Sequence, residues 1–347
     1  MKKDKLSKQQ SILITNPYNI FYLTGFRGLS PKERESFLLL FKNKKYLILS
    51  QLYEEEGKLI KNKNSSIDVI VCPKNLRMFD CLKNLFKKLR VKNLGFESKN
   101  LTFAEHHRLK TLLRGVKLTG VENFIEEQRI IKTAEEIKNI KKAQEISKKA
   151  FRQIQKLVVP GQTEAQISEK LISILKSLGA EDISFKPIVA FGKNSALPHY
   201  KTGNTKIMKN SALLLDFGAK YKGYCGDITR MIFIGEPSRR WLTVYNTVEK
   251  AQKAAIKNIS IGKSSGEILN SAINIFEKEK FSKYFIHNLG HGIGLQVHED
   301  PSIRGGEETI LKKNMVFSIE PGLYFPGWGG IRIEDLVAVG KKEAEIL

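Results

Sequence analysis

Cysteine is scarce and scattered in this sequence: Cys72, Cys81 and Cys225 are the three in 347 residues, an odd number with no CxxC spacing. That pattern argues against a zinc ribbon, a dithiol redox centre and a disulfide-stapled scaffold. The three read as reduced thiols, two of them packed within the N-terminal half. No apolar run approaches the roughly 20 residues that a membrane-spanning helix needs. The opening MKKDKLSKQQSILIT is basic but has neither an apolar h-region nor a small-residue cleavage site, so a cytoplasmic protein without a membrane partner is expected. No glycine-rich phosphate loop follows a strand, which removes the usual sign of a nucleotide site. Low-complexity segments and tandem repeats are also lacking. Acidic residues are in deficit, 36 against 59 basic ones, for a net charge of +23. The lysines are nevertheless thinly spread, and no RNP motif, zinc finger or arginine-rich arm accompanies them. A lysine-, asparagine- and isoleucine-rich composition accounts for the charge, and nonspecific polyanion binding is the most it implies.

What is present is enough for two domains. Residues 11–120 alternate short apolar runs (SILIT, ESFLLLFKNKKYLILS, IDVIVCP, NLGFES) with helically spaced stretches at 51–61, 75–89 and 102–113. The break at Asn43–Lys45 reads as a hairpin, and the whole as an α/β domain. The neighbouring His106 and His107 fall on a helix, where adjacent side chains point apart, so they are not a ligand pair. The pattern changes around Gly120–Arg129, and the domains are placed at 1–122 and 123–347. Thr133 with Glu136, and Thr163 with Gln166, form capping boxes ahead of helices whose apolar stripes run Ile137–Ile154 and Ile167–Ile174. Strand-like runs follow at Ile183–Phe191, Leu213–Phe217 and Tyr224–Ile234, then helices at Arg239–Ile259 and Gly266–Lys280, then strand and loop to the end. The fold class is α+β, a curved sheet with helices on its outer face. The helix-helix-strand order of 134–234 is loosely echoed by 239–338, which hints at a duplicated half.

The chemistry centres on residues 213–230, LLLDFGAKYKGYCGDITR. Leu213–Leu215 read as a strand buried on both faces, and a carboxylate at its end, Asp216, is costly there without a counter-charge. Asp227 follows eleven residues on, with Gly218, Gly223 and Gly226 between. Three further candidates lie downstream: His291 in GHGIGLQVH, Glu320 in FSIEPG and Glu334 in GIRIED. All five stand in or beside short β-like runs flanked by glycine, where strand side chains can converge on one point of a sheet face. Four carboxylates brought together repel one another, and two divalent cations would neutralise them. Oxygen-rich ligation with one imidazole and no thiolate favours Mn²⁺, Co²⁺ or Fe²⁺ over structural zinc. Such a pair, sharing a hydroxide, is machinery for hydrolysis.

These motifs resemble the metallopeptidases of the pita-bread fold, and within them the Xaa-Pro peptidases, aminopeptidase P and prolidase. NPYNIFYLTGF at 16–26 resembles the opening of a creatinase-type N-terminal domain. ALPHY at 196–200, LLLDFGAKYKGYCGDITR, HNLGHGIGLQVHEDP at 287–301 and FSIEPGLYFPGWGGIRIED at 317–335 resemble the successive active-site segments. The resemblance implies a C-terminal pita-bread domain with a curved antiparallel sheet behind a smaller α/β domain, and a homodimer. It implies that Asp216 chelates one metal, that Asp227 and Glu334 bridge both, and that His291 and Glu320 complete the other. The metals would be Mn²⁺ or Co²⁺, ahead of Fe²⁺ or Zn²⁺. Glu320 would carry the proton of a shared hydroxide nucleophile. His199 would line the substrate pocket, His298 would stabilise the substrate carbonyl or the tetrahedral intermediate, and His287 would hold the proline side. Arg332 and Tyr324 fall where the family has an orienting pair.

Creatinase shares the fold but lacks the metal ligands, and methionine aminopeptidases generally lack the large N-terminal domain and the LPHY and GGIRIED forms. The implied substrates are therefore proline-containing peptides, cut before proline, whose tertiary amide defeats general peptidases. HEDP and the compact length resemble the short prolidase-like group. Some prolidases place an arginine directly after that proline for a dipeptide's carboxylate; here Ser302 stands there, with Arg304 two positions on. On that departure an Xaa-Pro aminopeptidase is expected, with an Xaa-Pro dipeptidase as the alternative and a basic, non-catalytic nucleic-acid-binding member of the fold as the third.

Overall fold

Alternation of side chains along the N-terminal strands puts apolar residues on both faces of one sheet. The computed structural model describes residues 11–28, 33–306, 308–341 and 343–347; the basic opening segment, residues 1–10, lies outside the described residues. The chain divides into two compact units, Met1–Glu127 and Gln128–Leu347. In the first, β1 (Ser11–Ile14), β2 (Ser36–Phe41), β3 (Lys44–Ser50), β4 (Ile67–Cys72), β5 (Asn93–Glu97) and β6 (Lys117–Val121) form a mixed sheet in the order β4-β3-β2-β1-β5-β6. The polar break after Phe41 is the β2–β3 hairpin, turning through Lys42 at φ 53°. Four helices cover the sheet: α1 (Pro17–Thr24), α2 (Glu54–Lys63), α3 (Met78–Leu89) and α4 (Phe103–Leu112). Leu13, Phe37, Leu39 and Ile48 pack with Leu82, Phe86 and Leu109 on one face. Their sequence neighbours Ile12, Ile14, Leu38, Leu47 and Leu49 pack with Ile20, Phe26 and Ile60 on the other.

Here the structure corrects the cysteine reading. Cys72 and Cys81 are joined in a disulfide, with Cα atoms 5.9 Å apart. β4 ends at Cys72 and α3 carries Cys81 in its first turn, so the short turn between them folds the helix start back over the strand end. Cys225 is the free, buried thiol.

The second unit is built twice over. α5 (Ala134–Ile154) and α6 (Glu164–Ser177), each opened by the expected capping box, pack on β8 (Ile188–Phe191), β9 (Ser211–Phe217) and β12 (Ile228–Ile234), which pair antiparallel in the order β12-β9-β8. Ile146, Ala150, Ile154, Ile167 and Leu171 meet Leu213, Leu215 and Phe217 there. Each Ile, Leu or Phe among them contributes about 1.5–3 kcal/mol by leaving water. α7 (Arg239–Lys257) and α8 (Ser265–Lys278) pack on β13 (Gly290–Gly292), β14 (Glu299–Ile303), β15 (Val316–Ile319), β18 (Asp335–Val339) and β19 (Ala344–Ile346), antiparallel in the order β14-β13-β15-β18-β19. β16 (Gly322–Phe325) and β17 (Gly329–Arg332) form a hairpin, and an antiparallel bridge between Thr229 and Glu334 joins the two halves.

The echo between halves extends to individual bonds. Thr163 bridges Lys206 as Ser264 bridges Ile310. The Ile207 and Leu311 amides donate to Gln162 and Lys263 at 2.8 and 2.7 Å, and the Glu164 and Ser265 amides donate to Thr205 and Thr309 at 3.1 and 2.9 Å.

Two expected strands are interrupted. Ile183–Phe191 splits into β7 (Asp182–Ile183) and β8, and Tyr224–Ile234 splits into β11 (Tyr224–Cys225) and β12. The second break has a clear cause. A side chain on Gly218 would strike the Gly226 carbonyl, and one on Gly226 would come within 3.0–3.1 Å of the α5 backbone at Ala143. Two backbones meet there, and the chain leaves its ladder at Gly226–Asp227 to let them.

Candidate active site

Asp216 lies near the end of β9 opposite Thr229 of β12, and Asp227 stands just before β12 begins. Asp227 is fixed from behind. Gln144 of α5 donates to its carbonyl at 2.8 Å and accepts from its amide at 3.0 Å, so one buried side chain clamps both peptide groups. The preceding residues are also spoken for. The Cys225 amide donates to the Gly294 carbonyl at 2.8 Å, its thiol lies 3.7 Å from the Leu295 carbonyl, and burial pushes that thiol up to about 11. Cys225 therefore ties the Asp227 segment to the glycine-rich turn after His291 and stays protonated.

The remaining acids and His291 come from the second half. Glu334 accepts from Thr229 Oγ1 at 2.7 Å, and that hydroxyl accepts from Arg332 Nε at 3.1 Å. Ser318 Oγ accepts from the His291 amide at 3.0 Å and donates to Glu320 Oε1 at 3.0 Å. Glu320 Oε1 lies 3.2 Å from His291 Nε2, and Asp227 Oδ2 lies 3.8 Å from it. Asp227, His291 and Glu334 each offer a ligand atom within 4.8 Å of the others. Asp216 is turned to Arg332, which pairs with its Oδ2.

Asp216, Asp227 and Glu334 are 8%, 3% and 2% exposed, and each keeps one buried oxygen with no hydrogen-bond partner: Oδ1, Oδ1 and Oε1. A buried acceptor left unpaired costs about 1–3 kcal/mol. Three of them together are hard to explain except as donors to a cation, and an oxygen-rich set with one imidazole suits a divalent metal. The electrostatics of the cluster agree. Burial, then the neighbouring acids, push Asp227 and Glu334 well above the carboxylate range. Burial raises Asp216 too, against the pull of Arg332. Burial would raise Glu320 and lower His291, but their mutual bond and charge reverse both, holding Glu320 at about 2 and lifting His291 to about 9. Without cations the acids are mutually destabilising, so the residues present fit divalent metal, with Asp227, His291 and Glu334 already grouped to hold it.

Of the other predicted residues, His199, His287, His298 and Arg332 line the same space, a cavity of about 430 Å³, whereas Tyr324 is buried behind it and does not line it. His199, His287 and His298 stand on its walls with the apolar Phe185, Ile188, Pro198 and Val297. The His298 ring sits 4.3 Å from that of His291. Arg332 donates to Tyr324 Oη at 2.7 Å, so the Tyr324 hydroxyl donates to His287 Nε2 at 2.9 Å and His287 Nδ1–H donates to the Asn288 carbonyl at 2.6 Å. That chain runs unbroken from Asp216 to His287. Burial lowers both His287 and His298 from the ordinary histidine value, which favours the neutral ring in each. Glu299, beside His298, accepts from the Gln296 amide at 2.9 Å and pairs with Arg129, which shapes the loop that carries His298.

Gln144, Thr229 and Ser318 were not singled out from the sequence. Gln144 alone had a signal there: a polar residue in the inward stripe of a helix, between Ala143 and Ile146 in a buried run.

A model of metallopeptidase family M24 matches residues 138–341, and a model of the creatinase/prolidase N-terminal domain matches residues 3–131. The Xaa-Pro dipeptidase of Pyrococcus furiosus is 34% identical over 97% of this chain and 92% of its own. Among solved structures, an Xaa-Pro dipeptidase from Bacillus anthracis superposes with a TM-score of 0.93 at 32% identity, covering 99% of this chain and 95% of that one. An X-Pro aminopeptidase from Thermotoga maritima gives 0.90 at 32%, covering 100% and 97%.

Proposed function

Because the chain belongs to metallopeptidase family M24, with a creatinase/prolidase N-terminal domain ahead of the catalytic one, we propose that it is an Xaa-Pro dipeptidase, active on a free Xaa-Pro unit. The observation that carries this is the full-length similarity to proteins named Xaa-Pro dipeptidase at 32–34% identity. It outweighs the single departure at Ser302, on which the aminopeptidase expectation rested. The cavity supports it: about 430 Å³ is near the lower end of ligand pockets, which run to roughly 300–1,000 Å³.

Asp216, Asp227, His291, Glu320 and Glu334 would hold two divalent cations, Mn²⁺ or Co²⁺ by the donor set. When bound, these make water nucleophilic near neutral pH and polarise a carbonyl. The rest is the work of side chains. Phe185, Ile188, Pro198 and Val297 take the apolar surface of the dipeptide. His298 and His199, on the walls of the same cavity, would donate to the scissile carbonyl oxygen as charge develops there. His287, held neutral and oriented by Tyr324 and Arg332, contacts the proline end. Glu320 Oε1, already hydrogen-bonded to His291 and Ser318, receives a proton from attacking water and returns it to the proline nitrogen as that bond breaks. A cytoplasmic location and a homodimeric state belong to the same proposal.

The test compares Ala-Pro with Ala-Pro-Ala on Mn²⁺-loaded protein. Hydrolysis of Ala-Pro at a kcat/KM about tenfold or more above that of the tripeptide is expected. Preference for the tripeptide would restore the aminopeptidase reading, and inertness to both would end the Xaa-Pro assignment.

A further inference from the structure

Outside the cavity, Glu97, Glu136 and Glu164 are buried carboxylates that the chemistry above does not use, and Glu164 is the most deeply buried of the three. Glu164, the first residue of α6, is 0% exposed. Its Oε1 accepts from the Phe191 amide at 2.7 Å and from Asn194 Nδ2 at 2.8 Å. Its Oε2 accepts from the Tyr200 hydroxyl at 2.9 Å and from the Gly203 amide at 3.3 Å. All four donors lie in one stretch, 191–203, and that stretch carries Pro198 and His199 into the cavity.

We propose that Glu164 is a positioning residue for substrate binding: its carboxylate gathers both ends of the 191–203 loop and so sets where Pro198 and His199 stand. The proposal rests on the reading of His199 as a substrate-contacting residue. Two observations separate this role from a generic one. The helix start does not need the carboxylate, because Thr163 caps α6 by accepting from the Gln166 amide at 3.2 Å. The fold does not need it either. The equivalent position in the second half is Ser265, whose hydroxyl accepts from the Thr309 amide at 3.2 Å while the same backbone bond is kept. A buried anion held by neutral donors alone is costly to place, and here each donor fixes a different point of one loop. The far side of the loop is pinned independently, by the Gly330 amide on Ser195 Oγ at 2.8 Å and Arg332 Nη1 on the Pro198 carbonyl at 3.4 Å. Thr202 is held separately, accepting from the Val189 amide at 2.9 Å and donating to the Pro187 carbonyl at 3.0 Å, so Glu164 governs the part of the loop next to His199, through Tyr200.

Glu164→Gln is nearly isosteric. Its amide nitrogen cannot accept, so either the Phe191 or the Gly203 amide loses its partner. A double-mutant cycle with His199→Ala tests the role on the Mn²⁺-loaded chain, alongside calorimetric titration of Mn²⁺ and the NMR signal of the His199 ring on the chain loaded with diamagnetic Zn²⁺. Glu164→Gln alone should lower kcat/KM for Ala-Pro about 10- to 100-fold, as small misplacements of substrate-orienting groups do. Mn²⁺ affinity should be unchanged, the His199 ring signal should shift or broaden while that of His106 stays put, and in the His199→Ala background the further loss should be under about twofold. An equal loss in both backgrounds, a parallel loss of Mn²⁺ affinity or an unmoved His199 signal would overturn the proposal. If Glu164→Gln does not fold, Tyr200→Phe, which removes one donor, enters the same cycle with a smaller expected loss. A wild-type chain inert to Xaa-Pro peptides would sink the substrate reading only, since the His199 signal reports on Glu164 without turnover.

Discussion

Gln144 shows how a residue with no chemistry of its own can govern one that has. Its amide satisfies both peptide groups of Asp227 at a point where the strand ladder is broken. Gln144→Leu keeps the volume and orphans both groups. At about 1–3 kcal/mol for each buried unpaired group, chemical denaturation should show a loss of roughly 2–6 kcal/mol. Calorimetry should show Mn²⁺ binding about 10- to 100-fold weaker, as when the partners of metal ligands are removed. An unchanged metal affinity would mean that Asp227 is held by its strand after all. At this scale the sequence was legible where a charge stood against its surroundings. Asp216 after three leucines, and Glu320 and Glu334 in apolar runs, announce a cost that something must offset. Gln144, Thr229 and Ser318 do not, because an amide or hydroxyl inside an apolar pattern costs little if bonded, and the bonds reach across 83 to 105 residues for Gln144 and Thr229.

Elements were legible where their signals are local. The boxes at Thr133–Glu136 and Thr163–Gln166 open their helices as expected, since a capping box is complete within four residues. Strand interruptions were not, because Gly218 and Gly226 matter through a close approach that spacing does not encode. The cysteines failed for a similar reason. Spacing alone gives no hint that β4 and α3 fold back on each other, so Cys72 and Cys81 passed for separate thiols. Their disulfide closes a loop of about ten residues, and the chain-entropy relation then gives about 2–3 kcal/mol of stabilisation. Reduction, or Cys72→Ser with Cys81→Ser, should lower the denaturation midpoint accordingly while leaving hydrolysis of Ala-Pro intact. A midpoint that does not move under reductant would count against the bond.

For the whole molecule, metal and stability are one question. Buried acids that repel one another without a cation make the chain a weaker fold when stripped. Saturating Mn²⁺ at 100 times its dissociation constant should add about 2.7 kcal/mol, read as a rise in thermal midpoint that chelator abolishes. A midpoint indifferent to Mn²⁺ and chelator would contradict the dinuclear reading. The family was legible because its motifs fall in order along nearly the whole chain. Dipeptidase against aminopeptidase was not, because that choice turns on where one carboxylate of the substrate is met, and Ser302 is a single position. The duplicated half has a consequence in time. Asp216 and Asp227 belong to the first copy, and His291, Glu320 and Glu334 to the second. A ribosome that has released residues only as far as 234 has made a folded-looking half with two of five candidate ligands. A site that needs all five would thereby be incomplete until the second copy exists to close on the first.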